Sequence, residues 1–169
     1  MNNKFLFCIL VSALFTGCSN FSSQENVRYD RASHISASET DIVSSEIFKE
    51  IFDKNASAFQ KNVSSFCLST STNGSNTDPS NAVISLFAGH SPQILPASEC
   101  INKAGGVVDK FGKRAILFHV SDLKKNANGS YEAQAGYYEG NLSSQTNTYN
   151  AKKVNGKWKV NLVEMGPVS

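Results

Sequence analysis

From Asp41 onward the apolar residues fall at helical spacing: Val43, Ile47, Phe48, Ile51 and Phe52 share one face, and Ala56 and Phe59 extend it. Ser38-Glu39-Thr40-Asp41 supplies a start, with hydroxyls to cap and carboxylates suited to the positive helix end. The pattern predicts an amphipathic helix over about 41–54 whose aromatic stripe covers a core. Val63 to Thr70 predicts a short strand around Phe66 and Leu68, and 71–77 a polar loop of Ser, Thr, Asn and Gly. Asp78-Pro79 predicts a second helix, with Asp as cap and Pro at the first helical position. Ala82, Val83, Leu86 and Phe87 form its inner side and Gly89 its stop. Pro92 and Pro96 make 91–100 extended and bar it from the interior of a sheet.

After Gly105 the period shortens to two. Val107-Val108 marks a short strand. Arg114 to Val120 is apolar on both faces, Ile116, Phe118 and Val120 opposite Ala115, Leu117 and His119, as a central strand would be. Asn128-Gly129 is a turn, Tyr131 to Gly140 a strand, Gly140-Asn141 a connection, and about 146–154 a further strand. Asn155-Gly156 then calls for a two-residue type I′ turn, which fixes register: Lys153 faces Trp158, Ala151 faces Val160 and Tyr149 faces Leu162. Those apolar residues make one buried face, while Lys152 with Lys159 and Asn150 with Asn161 make a wet one. Helices first and strands after predict an α+β fold over 41–169, N-terminal helices packed on a curved C-terminal antiparallel sheet.

The N-terminus reads differently. Lys4 precedes an apolar run from Phe5 to Phe15, after which come Thr16-Gly17-Cys18. A helix over that run rises about 16 Å, half of what a bilayer core demands, so it fits an export signal rather than a span. Leu14-Phe15-Thr16-Gly17-Cys18 resembles the lipobox of bacterial lipoproteins, although Phe15 stands where an aliphatic residue is usual. The resemblance implies a signal peptide over 1–17, cleavage before Cys18 and acylation of that cysteine, so that a lipid membrane is a partner. Ser19 to about Ser38 is rich in Ser, Asn and Gln, a composition that does not order itself, and 18–40 reads as a flexible tether. With Ser rather than Asp at position 19, the sorting rule of such lipoproteins implies the periplasmic face of the outer membrane. The alternative is an ordinary signal peptide with a chance cysteine.

Of 169 residues, 16 are Lys or Arg and 14 Asp or Glu, a formal charge of +2 that recruits no nucleic acid. Among four cysteines, Cys8 leaves with the leader and Cys18 takes lipid, which leaves Cys67 and Cys100. In an oxidising compartment these two are expected to pair. The alternative, a redox or metal-thiolate pair, lacks a C-x-x-C motif and any cysteine–histidine spacing of a zinc site.

The order of pieces, closing on Gly156-Lys157-Trp158-Lys159-Val160, resembles the cystatin-like roll of the nuclear-transport-factor-2-like superfamily. Asp78-Pro79-Ser80, Pro96-Ala97-Ser98-Glu99-Cys100 and Tyr137-Tyr138-Glu139-Gly140-Asn141-Leu142-Ser143 are similar to segments of small uncharacterised periplasmic lipoproteins. The superfamily's enzymes carry a catalytic Asp, His or Tyr in a cone-shaped pocket. No such motif matches here residue by residue, so the resemblance implies a bent sheet under a helix and assigns no catalytic residue, metal or cofactor.

Three histidines bear on chemistry. His34 lies in the tether, and His90 follows Gly89 where a cation favours the helix dipole. His119 lies on the central strand, where it is either a satisfied core residue or a general base, with Asp109, Tyr137, Tyr138 or Glu139 as companions. Tyr137 and Tyr138 either pack as ordinary strand residues or line a binding surface; they must point to opposite faces, so on a one-sided sheet at most one is core and the other is the better binding residue. Two functions follow: a non-enzymatic module binding a protein, a peptide or cell-wall material, or a small-ligand carrier or enzyme using the concave side. Whether Phe48, Phe52, Phe118 and Trp158 plug that side decides between them.

Overall fold

The structure, a computed structural model, describes residues 36–54, 62–72, 74–103, 105–140 and 143–169. Helix α1 (Glu39–Lys54) is followed by strands β1 (Ser65–Thr72) and β2 (Ser75–Thr77), the short helix α2 (Asn81–Ser85) and strand β3 (Gln93–Pro96). A 3₁₀ turn at Ala97–Glu99 leads to β4 (Cys100–Lys103), β5 (Gly106–Asp109), β6 (Arg114–Lys125), β7 (Tyr131–Gly140), β8 (Ser143–Val154) and β9 (Lys157–Glu164).

The class is α+β, and the sheet curls into a half-barrel around α1. Its order is β2-β1-β6-β5-β7-β8-β9, with β3 beside β1, β4 beside β5, and β6 also paired to β7. This corrects the expectation of a purely antiparallel C-terminal sheet. β1 runs parallel to β6, Ser65 facing Ala115 through Ser71 facing Ser121, and β3 runs parallel to β1. The part before Gly105 thus contributes four strands, β1 where the short strand over 63–70 is expected and three more. The Ser, Thr, Asn and Pro content of β2 and β3 conceals those two, and the crossover through α2 supplies the long connection that a parallel pair requires.

Ser38 caps α1: its Oγ accepts from Asp41 N at 3.1 Å while Asp41 Oδ2 accepts from Ser38 N at 2.8 Å, a reciprocal capping box. The apolar stripe buries as its spacing requires. Phe52 meets Phe118 at 4.7 Å, Phe66 at 4.9 Å and Phe87 at 5.6 Å between ring centroids, and Val43, Ile47 and Phe48 are fully buried beside them. Each such side chain contributes about 1.5–3 kcal/mol by leaving water. β6 is the predicted central strand, flanked by β1 and β7.

Helix α2 begins later than predicted. Ser80, not Asp78, is its cap, accepting from Val83 N at 3.2 Å. Asp78 is drawn off to Ser98, whose amide and hydroxyl donate to it at 2.8 and 2.6 Å. The last hairpin has its predicted register, with positive φ at Asn155 (52°) and Gly156 (77°). Its apolar face is less covered than expected, because β9 is the edge strand: Trp158 and Val160 are half-buried and Leu162 is 45 % exposed.

Candidate functional site

Cys18 and its tether, like His34, lie outside the described residues. Cys67, on β1, and Cys100, opening β4, form the expected disulfide, with Cα atoms 6.4 Å apart and a separation of 33 in sequence. In the chain-entropy description a link of that span removes about 3–4 kcal/mol of unfolded-state freedom. It also nucleates a second small core on the sheet face away from α1. There Cys67, Val107 and Ala115 pack with Leu117 and Tyr138.

That second core means that the sheet is not one-sided where the two tyrosines lie. Tyr137 faces α1 beside the main core and Tyr138 faces the disulfide, so the two do point opposite ways. Both are half-buried and both pack, because the sheet is covered on both sides at this end.

His119 shares the outer face with Tyr138 but not with its other conceivable companions. Tyr137 lies on the opposite face, and Glu139 accepts from Ser143 Oγ at 3.0 Å. Asp109, only 3 % exposed, is engaged elsewhere. Its Oδ2 accepts from Ser64 and Ser65 hydroxyls at 3.0 and 2.8 Å, and its Oδ1 from the Phe111 and Lys113 amides at 2.9 Å. Burial raises this carboxyl's pKa, but the four donors together bring it below the usual value. The group is a folded-in structural anion holding the β5–β6 turn. His119 Nε2 lies 3.1 Å from Thr146 Oγ1, reaching over Gly136, and burial lowers the imidazole pKa. Its Nδ1 has no hydrogen-bond partner among the described residues, so no carboxylate orients the ring as a general base requires.

His90 is held by the loop that follows α2. Its Nδ1 donates to Pro92 O at 2.7 Å, and its ring sits among Phe52, Phe66 and Phe87. Among the described residues no group of three His, Cys, Asp or Glu side chains is arranged to hold a metal, and no helix is long and apolar enough to cross a membrane.

Two polar constellations have no counterpart in the sequence reading. Glu39, in the first turn of α1, accepts from Lys125 Nζ at 2.7 Å, Tyr131 Oη at 2.9 Å and Lys153 Nζ at 3.2 Å. Chiefly through the Lys125 bond, and then Tyr131 and Lys153, its pKa falls to about 2. The second is an open cleft of about 350 Å³ between the start of α1, the end of β1 and the Ser80 cap. Its polar wall is Thr40, Asp41, Ser44, Thr70, Ser71 and Ser80, and its floor is Val83, Val120 and Leu123. Only the Ser38–Asp41 pair was legible beforehand, as a helix cap; the β1–β6 pairing brings the end of β1 alongside, and Ser80 donates to Asp41 Oδ1 at 2.6 Å. Compared with known families, with curated proteins and with solved structures, the chain finds no match.

Proposed function

We propose that the chain is a bacterial lipoprotein, acylated at Cys18 and held at the periplasmic face of the outer membrane, whose domain is a non-enzymatic binding module for envelope material. The observation that carries the binding half is the filling of the concave side. Phe48, Phe52, Phe66 and Phe118 occupy the space in which a carrier or an enzyme of the roll type would hold its ligand. Ligand recognition is thereby left to the outer surfaces and the edges. The anchor half rests on Thr16-Gly17-Cys18 after the apolar run, and the Cys67–Cys100 disulfide agrees with an oxidising compartment. Within the α+β class we read the fold as a variant of the cystatin-like roll. The long helix against a bent sheet and the closing Gly156–Val160 strand support this, while the parallel β1–β6 pair is its departure.

Metabolic labelling with palmitate and fractionation of cells expressing the full chain test the anchor. The wild type is expected to carry label and sediment with membranes, and Cys18→Ala to do neither. A Cys18→Ala protein that still sediments with membranes would remove the anchor. Native mass spectrometry of the full chain tests the other half, since a small molecule retained after gentle purification would return the carrier reading.

A further inference from the structure

The β8–β9 hairpin gathers its lysines on the outer face of the sheet. Lys152 stands directly opposite Lys159, and Lys157 follows two residues away, opposite Val154. The same alternation turns these three away from the face that carries Ala151, Trp158 and Val160 against the main core. All three are exposed, and none forms an ion pair with a described residue. Lys124 lies on the same face of β6, opposite Glu132. Glu132 and Asp122, in the β6 bulge, are the carboxylates that stand near this group among the described residues.

Two observations point from this face to a partner. Like charges directly opposite in a strand pair destabilise it, and the fold has no use for the Lys152–Lys159 pair, since the Asn155-Gly156 turn and the apolar face already set the register. An anionic surface would turn that repulsion into attraction. The second observation is where the chain enters the domain. Glu39, the first residue of α1, accepts from Lys153 Nζ at 3.2 Å and Lys125 Nζ at 2.7 Å, so the segment leading back to Cys18 joins the domain beside this hairpin. A polar coil over residues 19–38 spans on average about 25 Å, only a few screening lengths at physiological salt.

We propose that the outer face of the β8–β9 hairpin docks on an anionic phospholipid surface, with Lys152, Lys157 and Lys159 against the lipid phosphates. The lysine ammonium is a compact, hydrated point charge on a flexible stem, suited to a fluid layer of phosphates that offers no fixed geometry to match. Each such lysine strengthens attachment to an anionic bilayer about fivefold. The three together turn this end of the half-barrel towards the membrane and leave the opposite end, with the β5–β6 turn, directed away from it. The inference rests on the reading of the chain as membrane-anchored, because the tether is what brings the hairpin to the surface.

Lysine acetylation read by mass spectrometry, on the full chain mixed with vesicles, tests it. With vesicles of equal parts phosphatidylcholine and phosphatidylglycerol, Lys152, Lys157 and Lys159 are expected to react several-fold more slowly than with phosphatidylcholine alone. The difference is expected to vanish at about 1 M salt. Lys49 and Lys103, exposed elsewhere on the domain, are expected to react alike on both vesicles. An acyl anchor acts equally on the two, so the comparison isolates the hairpin. Replacing Lys152 and Lys159 together by Gln is expected to remove most of the slowing at Lys157 and to keep or raise the melting temperature, since the opposed charges are gone. Equal reactivity of the hairpin lysines on the two vesicles, equal slowing at Lys103, or slowing that survives the salt would overturn the assignment. Palmitate labelling keeps the two ideas separable: slowing without acylation sinks the anchor and spares the hairpin surface, acylation without slowing does the reverse, and absence of both sinks both.

Discussion

Glu39 and Lys125 lie 86 residues apart in the chain and meet at 2.7 Å, joining the first turn of α1 to the last residue of β6. The same carboxylate takes the Tyr131 hydroxyl and the Lys153 ammonium, so one side chain ties the helix to three strands of the half-barrel. Around it Tyr131 packs edge-on to Trp158 at 5.6 Å, and Lys153 lies over the Trp158 ring at 5.0 Å.

This clasp gives stability a pH dependence of known sign. The carboxyl titrates at about 2 when folded against an ordinary 4.5, so the folded state favours its ionised form. Its contribution is complete above about 4.5 and is lost as pH falls towards 2. Melting temperatures measured from pH 6 down to about 2.5 are expected to drop more steeply for the wild type than for Glu39→Gln. The pair is partly exposed, so salt is expected to narrow the difference. Parallel curves for the two proteins would show that the clasp contributes nothing.

The second expectation concerns where the core ends. Phe52 is 6 % exposed and touches three other phenylalanines of the core beside Phe48, so Phe52→Ala is expected to cost about 3–5 kcal/mol. Leu162 shares the inward face of β9 but is 45 % exposed at the sheet edge, and Leu162→Ala is expected to cost under about 1 kcal/mol. Guanidinium unfolding of both variants checks this. Comparable losses would mean that the edge is as much core as the centre.

Much of the fold was legible because local rules and tertiary packing agree. The α1 stripe, the two-faced β6 and the Asn155-Gly156 hairpin each follow from a period or a turn with few alternatives. The parallel pairing was not legible: the strand around Phe66 and Leu68 shows in the pattern, but Gln93–Pro96 carries a weak strand signal and the partners lie far along the chain. Asp78 shows a different limit. Asp and Ser cap equally well, and only the position of Ser98 decides which of Asp78 and Ser80 is free to do so. The hydroxyl cleft was invisible for the same reason as the parallel pair that assembles it.

His119 separates a packed histidine from a catalytic one. Burial lowers its pKa from 6.5, and no acidic partner among the described residues restores it. An NMR titration of the ring protons is expected to give a midpoint below 6.5, and with it a loss of stability as pH falls through that midpoint, because the unfolded chain takes up the proton more readily. A midpoint above 6.5 would reveal an anionic neighbour and reopen a general-base role.

Gly136 is the residue beneath that histidine, and its requirement for glycine is steric rather than conformational. A Cβ added there would stand 1.9 Å from the Gln145 carbonyl oxygen, in the backbone of the adjoining β8. Relief would require β7 and β8 to separate where His119 and Thr146 bond across the glycine. Gly136→Ala is therefore expected to cost about 2–4 kcal/mol and to break the His119–Thr146 contact, moving the His119 midpoint towards its ordinary value. Gly129, at φ +81° in the β6–β7 turn with open space around it, is the control: there alanine meets no atom, and only backbone strain of about 1 kcal/mol is expected. If chemical denaturation found the two substitutions equal, the close approach of β7 and β8 would not be a feature of the folded protein in solution. The neutral state of His119 would then need another cause.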